Sequence, residues 1–99
     1  MKDVKELQLL YKDCMDFWGE RRQLRMLQEE CSELILAVSH YIRERPNSID
    51  NVIEEIGDVQ LMINQFKEYF GEDKINEVID YKSDYVRRAL EKEKKEKEK

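Results

Sequence analysis

Glycine and proline occur only four times in the 99 residues. Three of the four, Gly19, Pro46 and Gly71, fall between long stretches in which apolar residues recur every three or four positions. That spacing is helical, and strand-like alternation is absent. A chain with so few turn formers is poorly suited to many short strands, so four long helices are expected. The first covers about 4–18, with Val4, Leu7, Tyr11, Cys14 and Trp18 on one stripe and a break at Gly19. The second covers about 22–43, with Leu27, Cys31, Leu34, Ile35 and Val38 on its face, and stops before Pro46. The third covers about 49–70, with Asn47 or Ser48 as cap and a stripe through Ile49, Val52, Ile53, Ile56, Val59, Ile63, Phe66 and Phe70. The fourth opens at Asp73 and carries Ile75, Val78, Ile79, Tyr85, Val86, Ala89 and Leu90.

Short connections between long helices favour antiparallel neighbours, so the expected fold is an all-α antiparallel bundle of about four helices. Residues 1–90 form the expected domain. Residues 91–99, "EKEKKEKEK", are a charged low-complexity tail with no apolar face. Charged residues (41%) match hydrophobic ones (40%), so a single chain has a modest core. Leu61, Met62 and Tyr69 lie off the main stripe of the third helix and widen its apolar arc. A homo-dimer or homo-tetramer is therefore expected to complete the bundle.

Charge and composition exclude several classes. The formal net charge is −5 and no basic stripe dominates, which argues against a nucleic acid polymer as partner. The opening "MKDVKELQLL" has no apolar run of the length a signal peptide or membrane span needs. Cys14 and Cys31 lack metal-type spacing and fall at apolar helical positions, which fits reduced thiols in a cytoplasmic protein.

The chemistry-bearing feature is a pair of acid clusters. Glu29, Glu30 and Glu33 crowd one turn of the second helix, where like charges repel. At about 100° per residue, Glu30 flanks the apolar face and Glu33 lies one step further round. In "VIEEIGDVQ" of the third helix, Glu55 flanks the stripe and Asp58 follows in the same way. Two antiparallel helices can bring both pairs together. Four converging carboxylates cannot all stay ionised alone, and a hard cation such as Mg²⁺ resolves the conflict. Gly57, inside the helix, is expected to admit a close neighbour or ligand. The alternative is an ordinary solvated acidic face, since Asp and Glu total 23 residues. A di-iron site is excluded by the histidine pattern: the one histidine, His40, forms no Glu-x-x-His motif.

Four further side chains are candidates for substrate contact. Lys82 falls in the middle of the fourth helix's apolar stripe, where a lysine needs an anionic partner, a phosphate included, or must snorkel. Arg88, with Arg87, points away from that stripe and reaches phosphates only across an oligomer interface. Gln23, on the apolar side of the second helix, can read a base edge or bond a neighbouring helix. Trp18 can stack on a base or join the core.

The pattern E-E-x-x-E followed by E-x-x-D, here Glu29-Glu30-Cys31-Ser32-Glu33 and Glu55-Ile56-Gly57-Asp58, resembles the signature of the all-alpha nucleoside triphosphate pyrophosphohydrolases. "WGERRQLRMLQEECSEL" and "NVIEEIGDVQLMINQF" look like their MazG-like branch, over about 18–88. The resemblance implies a Mg²⁺-dependent hydrolase, with Mn²⁺ as a possible substitute. It cleaves a nucleoside triphosphate between the α- and β-phosphates to monophosphate and pyrophosphate. By the same resemblance Glu30, Glu33, Glu55 and Asp58 are the metal ligands, and Glu29 and Glu54, the preceding acids, are candidates for a supporting or a base role; on chemical grounds a carboxylate such as Glu30 or Glu33 accepts the water's proton. The fourth-helix segment "YKSDYVRR" resembles the family's lysine and arginine run. A phosphoribosyl-ATP pyrophosphatase of the same fold, or a non-catalytic helical interaction protein, remains the alternative.

Overall fold

The computed structural model describes residues 1–98, which form four α-helices and no strand. They are α1 (Val4–Trp18), α2 (Glu20–Ile42), α3 (Ser48–Phe70) and α4 (Glu72–Glu98). The all-α class is as expected, and helix ends fall within two residues of the sequence reading for α1, α2 and α3. The chain divides into two compact units, Met1–Tyr69 and the segment from Phe70 onward.

Local chemistry sets the helix ends. The Asp3 carboxylate accepts the Lys5 N–H at 3.0 Å and caps α1. Gly19 then serves as both an end and a start. Its N–H donates to the Met15 carbonyl at 2.9 Å, and its own carbonyl accepts from Gln23 at 3.1 Å. Its φ of 85° lies where a Cβ is disfavoured, which explains why a glycine stands there. Between α2 and α3, Glu44 (φ 58°) and Asn47 (φ 60°) turn the chain around Pro46. Asparagine tolerates that region, whereas the glutamate carries a strain of roughly 1–2 kcal/mol.

In the first unit, Met15, Met62 and Phe66 form a small buried cluster, with Met26 and Leu27 packed against it. Three of these five are methionines, whose flexible side chains fill irregular space between helices. Tyr11, Ala37 and Val59 are buried as well, together with polar Gln23, Gln65 and Ser48.

The buried seam differs from the apolar stripe read from the sequence. On α1 it runs through Tyr11 and Met15, while Val4 and Trp18 are exposed. On α2 it runs through Gln23, Met26, Leu27, Glu30 and Ala37, leaving Ile35 and Val38 outside. On α3 it takes Val59, Met62, Gln65 and Phe66, with Glu55 and Asp58 part-buried on the same side. Ile49, Ile53, Ile56 and Ile63 face outward, Ile53 at 62% exposure. The cause is the wide arc on α3: the helix offers two apolar strips, and the interior of the first unit takes the one through Val59, Met62 and Phe66. Glu30 and Glu55 thus stand on the packed seam itself.

α4 is described by itself. None of its 27 residues is buried. The helix opens at Glu72, one residue before Asp73, and continues through the charged tail to Glu98. Glu91 and Lys95, and Glu93 and Lys97, are i,i+4 pairs in the favourable order, which supports a helix without an apolar face. Among the described residues no helix is long and apolar enough to cross a membrane.

Candidate metal centre

α2 and α3 are locked in antiparallel register by two buried amides. The Gln23 side chain donates from Nε2 to Oε1 of Gln65 at 2.8 Å. The two residues are 3% and 4% exposed. Seven residues further along α2 stands Glu30, and seven residues back along α3 stands Asp58. Seven residues is two helical turns, about 10.5 Å, so the two acids arrive at the same level on the same face. Glu33 and Glu55 meet by the same count, ten residues from each glutamine.

Carboxylate oxygens of Glu30, Glu55 and Asp58 lie within 4.8 Å of one another. Each of these side chains is part-buried. Glu33 is exposed, yet close enough to act on Glu30 and Glu55 both by charge and by hydrogen bonding. All four acids of the sequence reading are therefore brought together.

The electrostatics are those of an uncompensated site. Glu30 titrates above the usual glutamate range, first because its surroundings are partly dry, then through repulsion from Glu33, Asp58 and Glu55. Glu55 is raised for the same first reason, then by Glu33, Asp58 and Glu54. Oε2 of Glu30 and Oε2 of Glu55 are shielded from solvent without a hydrogen-bond partner. Orphaned buried acceptors are costly, and a cation or a shared proton relieves them. The donor set is all oxygen and all anionic, which suits a hard divalent cation.

The other candidates are placed differently. Glu29 is exposed, and its backbone carbonyl accepts the Ser32 hydroxyl at 2.7 Å. Gln23 is committed to Gln65. Trp18 is 42% exposed, with the Arg22 guanidinium 5.3 Å from its ring centroid. Trp18, Arg22, Gln23 and Gln65 border a cleft of about 190 Å³. A larger cavity of about 580 Å³, lined by Tyr11, Lys12, Gln65 and Tyr69 among others, shares Gln65 with it. Lys82 and Arg88 stand exposed on α4, the Lys82 ammonium 6.0 Å from the Tyr81 ring centroid.

The sequence reading missed Gln65 and Arg22. Gln65 had a usable signal: it stands as far from Asp58 as Gln23 does from Glu30. No neighbouring helix closes on Gly57 among the described residues, where a Cβ at that position would meet nothing within 4 Å. No family model, curated protein or solved structure matches this chain.

Proposed function

We propose that this chain is a Mg²⁺-dependent nucleoside triphosphate pyrophosphohydrolase of the all-alpha, MazG-like kind. The observation that carries the reading is the convergence of Glu30, Glu55 and Asp58, with Glu33 beside them, at one level of the α2–α3 seam. Glu30, Glu33, Glu55 and Asp58 would hold the ion, with Mn²⁺ as a substitute. When bound, the metal neutralises charge on phosphate oxygens and acidifies an attacking water.

The chain's own acids supply the rest. Glu33, the most exposed of the four, is positioned to accept a proton from water, with Glu30 as the alternative base. Water oxygen bonds to the α-phosphorus, the bond to the α,β-bridging oxygen breaks, and pyrophosphate leaves with that oxygen. The water's proton passes to the carboxylate. Lys82 and Arg88 are the proposed phosphate contacts and Trp18 the proposed base contact, on residue type; Gln23, buried and bonded to Gln65, holds the helix register instead. Two free thiols, Cys14 and Cys31, fit a reducing compartment such as the cytoplasm. A homo-oligomer is part of the proposal, supported by the outward Ile35, Ile42, Ile53 and Ile56.

The test is pyrophosphate release from a panel of ribo- and deoxynucleoside triphosphates, with phosphoribosyl-ATP included, in the presence of Mg²⁺. Turnover that disappears with Glu33→Gln or Asp58→Asn is expected. No turnover of any nucleotide overturns the reading in favour of a non-catalytic interaction protein.

A further inference from the structure

α2 and α3 are apolar on two sides. One side meets α1: Met26 and Leu27 pack on the cluster of Met15, Met62 and Phe66, and Gln65 lines clefts with Tyr11, Cys14 and Trp18. At about 100° per residue, Ile35 stands half a turn round α2 from Met26, and Ile56 half a turn round α3 from Gln65. Both helices therefore turn a second apolar strip to the side away from α1. On α2 it runs from Leu24 through Ile35 to Ile42, and on α3 from Ile49 through Ile53 to Ile63, in alternating steps of four and three.

Two properties identify what this face takes. The first is charge. In the chain 41% of residues are charged, yet the polar members of the two strips are the amides Gln28 and Gln60 and the thiol Cys31. The first charges met along the strips are Arg21 and Lys67, which rim the face at one end. Depletion of charge marks the core of a protein interface. The second property is area. The aliphatic side chains of the face are 37% (Leu24) to 74% (Ile42) exposed. Together they present roughly 700 Å² of apolar surface, above the about 300–600 Å² of a typical monomer's largest patch and close to the about 800 Å² each partner gives to a stable interface. A copy of the same face matches that area and opposes it with no charge. Elsewhere two chains of net charge −5 repel each other.

We propose that two copies of this chain pair face to face through the α2–α3 surface turned away from α1, with Ile35 and Ile53 inside the contact. The two antiparallel hairpins then stack as a four-helix bundle. Glu33 and Asp58 each lie two residues, about 200°, from Ile35 and Ile56, so the acids point away from the contact and the cation site stays open in the pair. This inference rests on the homo-oligomer part of the proposed function and not on the nucleotide chemistry.

Sedimentation equilibrium of the full chain tests it with Ile35→Lys, Ile53→Lys and, on α4, Val78→Lys. Ile35 and Ile53 are 71% and 62% exposed, so neither substitution empties the core of one chain. The parent sediments as a dimer. Ile35→Lys and Ile53→Lys each weaken association by about tenfold or more, because a two-fold contact takes up each lysine twice and without an anionic partner. Val78→Lys associates as the parent does, and helix content by circular dichroism is unchanged in all. Association that survives both α2–α3 lysines, or yields only to Val78→Lys, overturns the pairing and leaves the homo-oligomer standing. A fall in melting temperature that is independent of concentration, with the mass unchanged, means the face is covered within one chain and overturns the pairing as well. A parent chain that sediments as a monomer overturns the pairing and the homo-oligomer together.

Discussion

Gln23 and Gln65 share one buried amide–amide hydrogen bond, and that bond stands two turns from the point where Glu30 meets Asp58. The amides therefore act as a register pin for the acids. Truncating one leaves the other buried and unsatisfied. Gln23→Ala is expected to lower unfolding stability by about 1–3 kcal/mol. Gln23→Leu combined with Gln65→Leu should recover most of that loss. Urea denaturation of the three variants and the parent checks both numbers.

Met62 lies at the centre of the first unit's core, although it stands off the main apolar stripe of its helix. Met62→Ala is expected to cost about 2–5 kcal/mol. With so small a core, this substitution alone should take much of the folded population. Thermal unfolding followed by circular dichroism measures it.

Gly57 behaves in the opposite way. It is a mid-helix glycine whose missing Cβ would meet only open space. Gly57→Ala is therefore expected to stabilise the chain by about 1 kcal/mol. Should turnover fall while stability rises, the empty space beside Gly57 belongs to the bound substrate. Paired denaturation and pyrophosphate assays separate the two effects.

Metal-free stability should depend on pH through Glu30 and Glu55. Both hold their protons more tightly in the fold than in the unfolded chain, by desolvation first and by neighbouring carboxylates second. The native state therefore binds more protons, and stability falls as pH rises from the ordinary glutamate value through the raised folded values. The contribution is complete below that window and lost above it. In EDTA at neutral pH, Glu30→Gln is expected to melt a few degrees higher than the parent, about 2–5 °C. The gap should close below about pH 4, where the parent's carboxyl is neutral in both states. Melting curves across that range give the answer.

Much of the fold was legible because its signals are local. Gly19, Pro46 and Gly71 cut the chain where the helices end, and the three-to-four spacing gave their type. The choice of buried strip was not local. α3 presents Ile49, Ile53 and Ile56 on one side and Val59, Met62 and Phe66 on another, and only the partner helix decides between them. The acid pairs at Glu30 and Glu33, and at Glu55 and Asp58, were readable from spacing, and their convergence followed once the helices were antiparallel. The pin was missed although its spacing was there to read: Gln23 and Gln65 each stand seven residues from an acid of the cluster, but a glutamine on an apolar face has many possible partners. Whether the helix continues beyond Leu90 was left open by the sequence, because the support there comes from side-chain charge pairs and not from an apolar face.

The central claim is that the α2–α3 acids form one cation site. Calorimetric titration of Mg²⁺ into the chain, with Asp58→Asn as the comparison, addresses it most directly. The account predicts saturable binding to the parent and a loss of about ten- to a hundredfold in affinity for a variant that stays helical. Equal affinity in parent and variant, or no heat of binding to either at millimolar Mg²⁺, would contradict it.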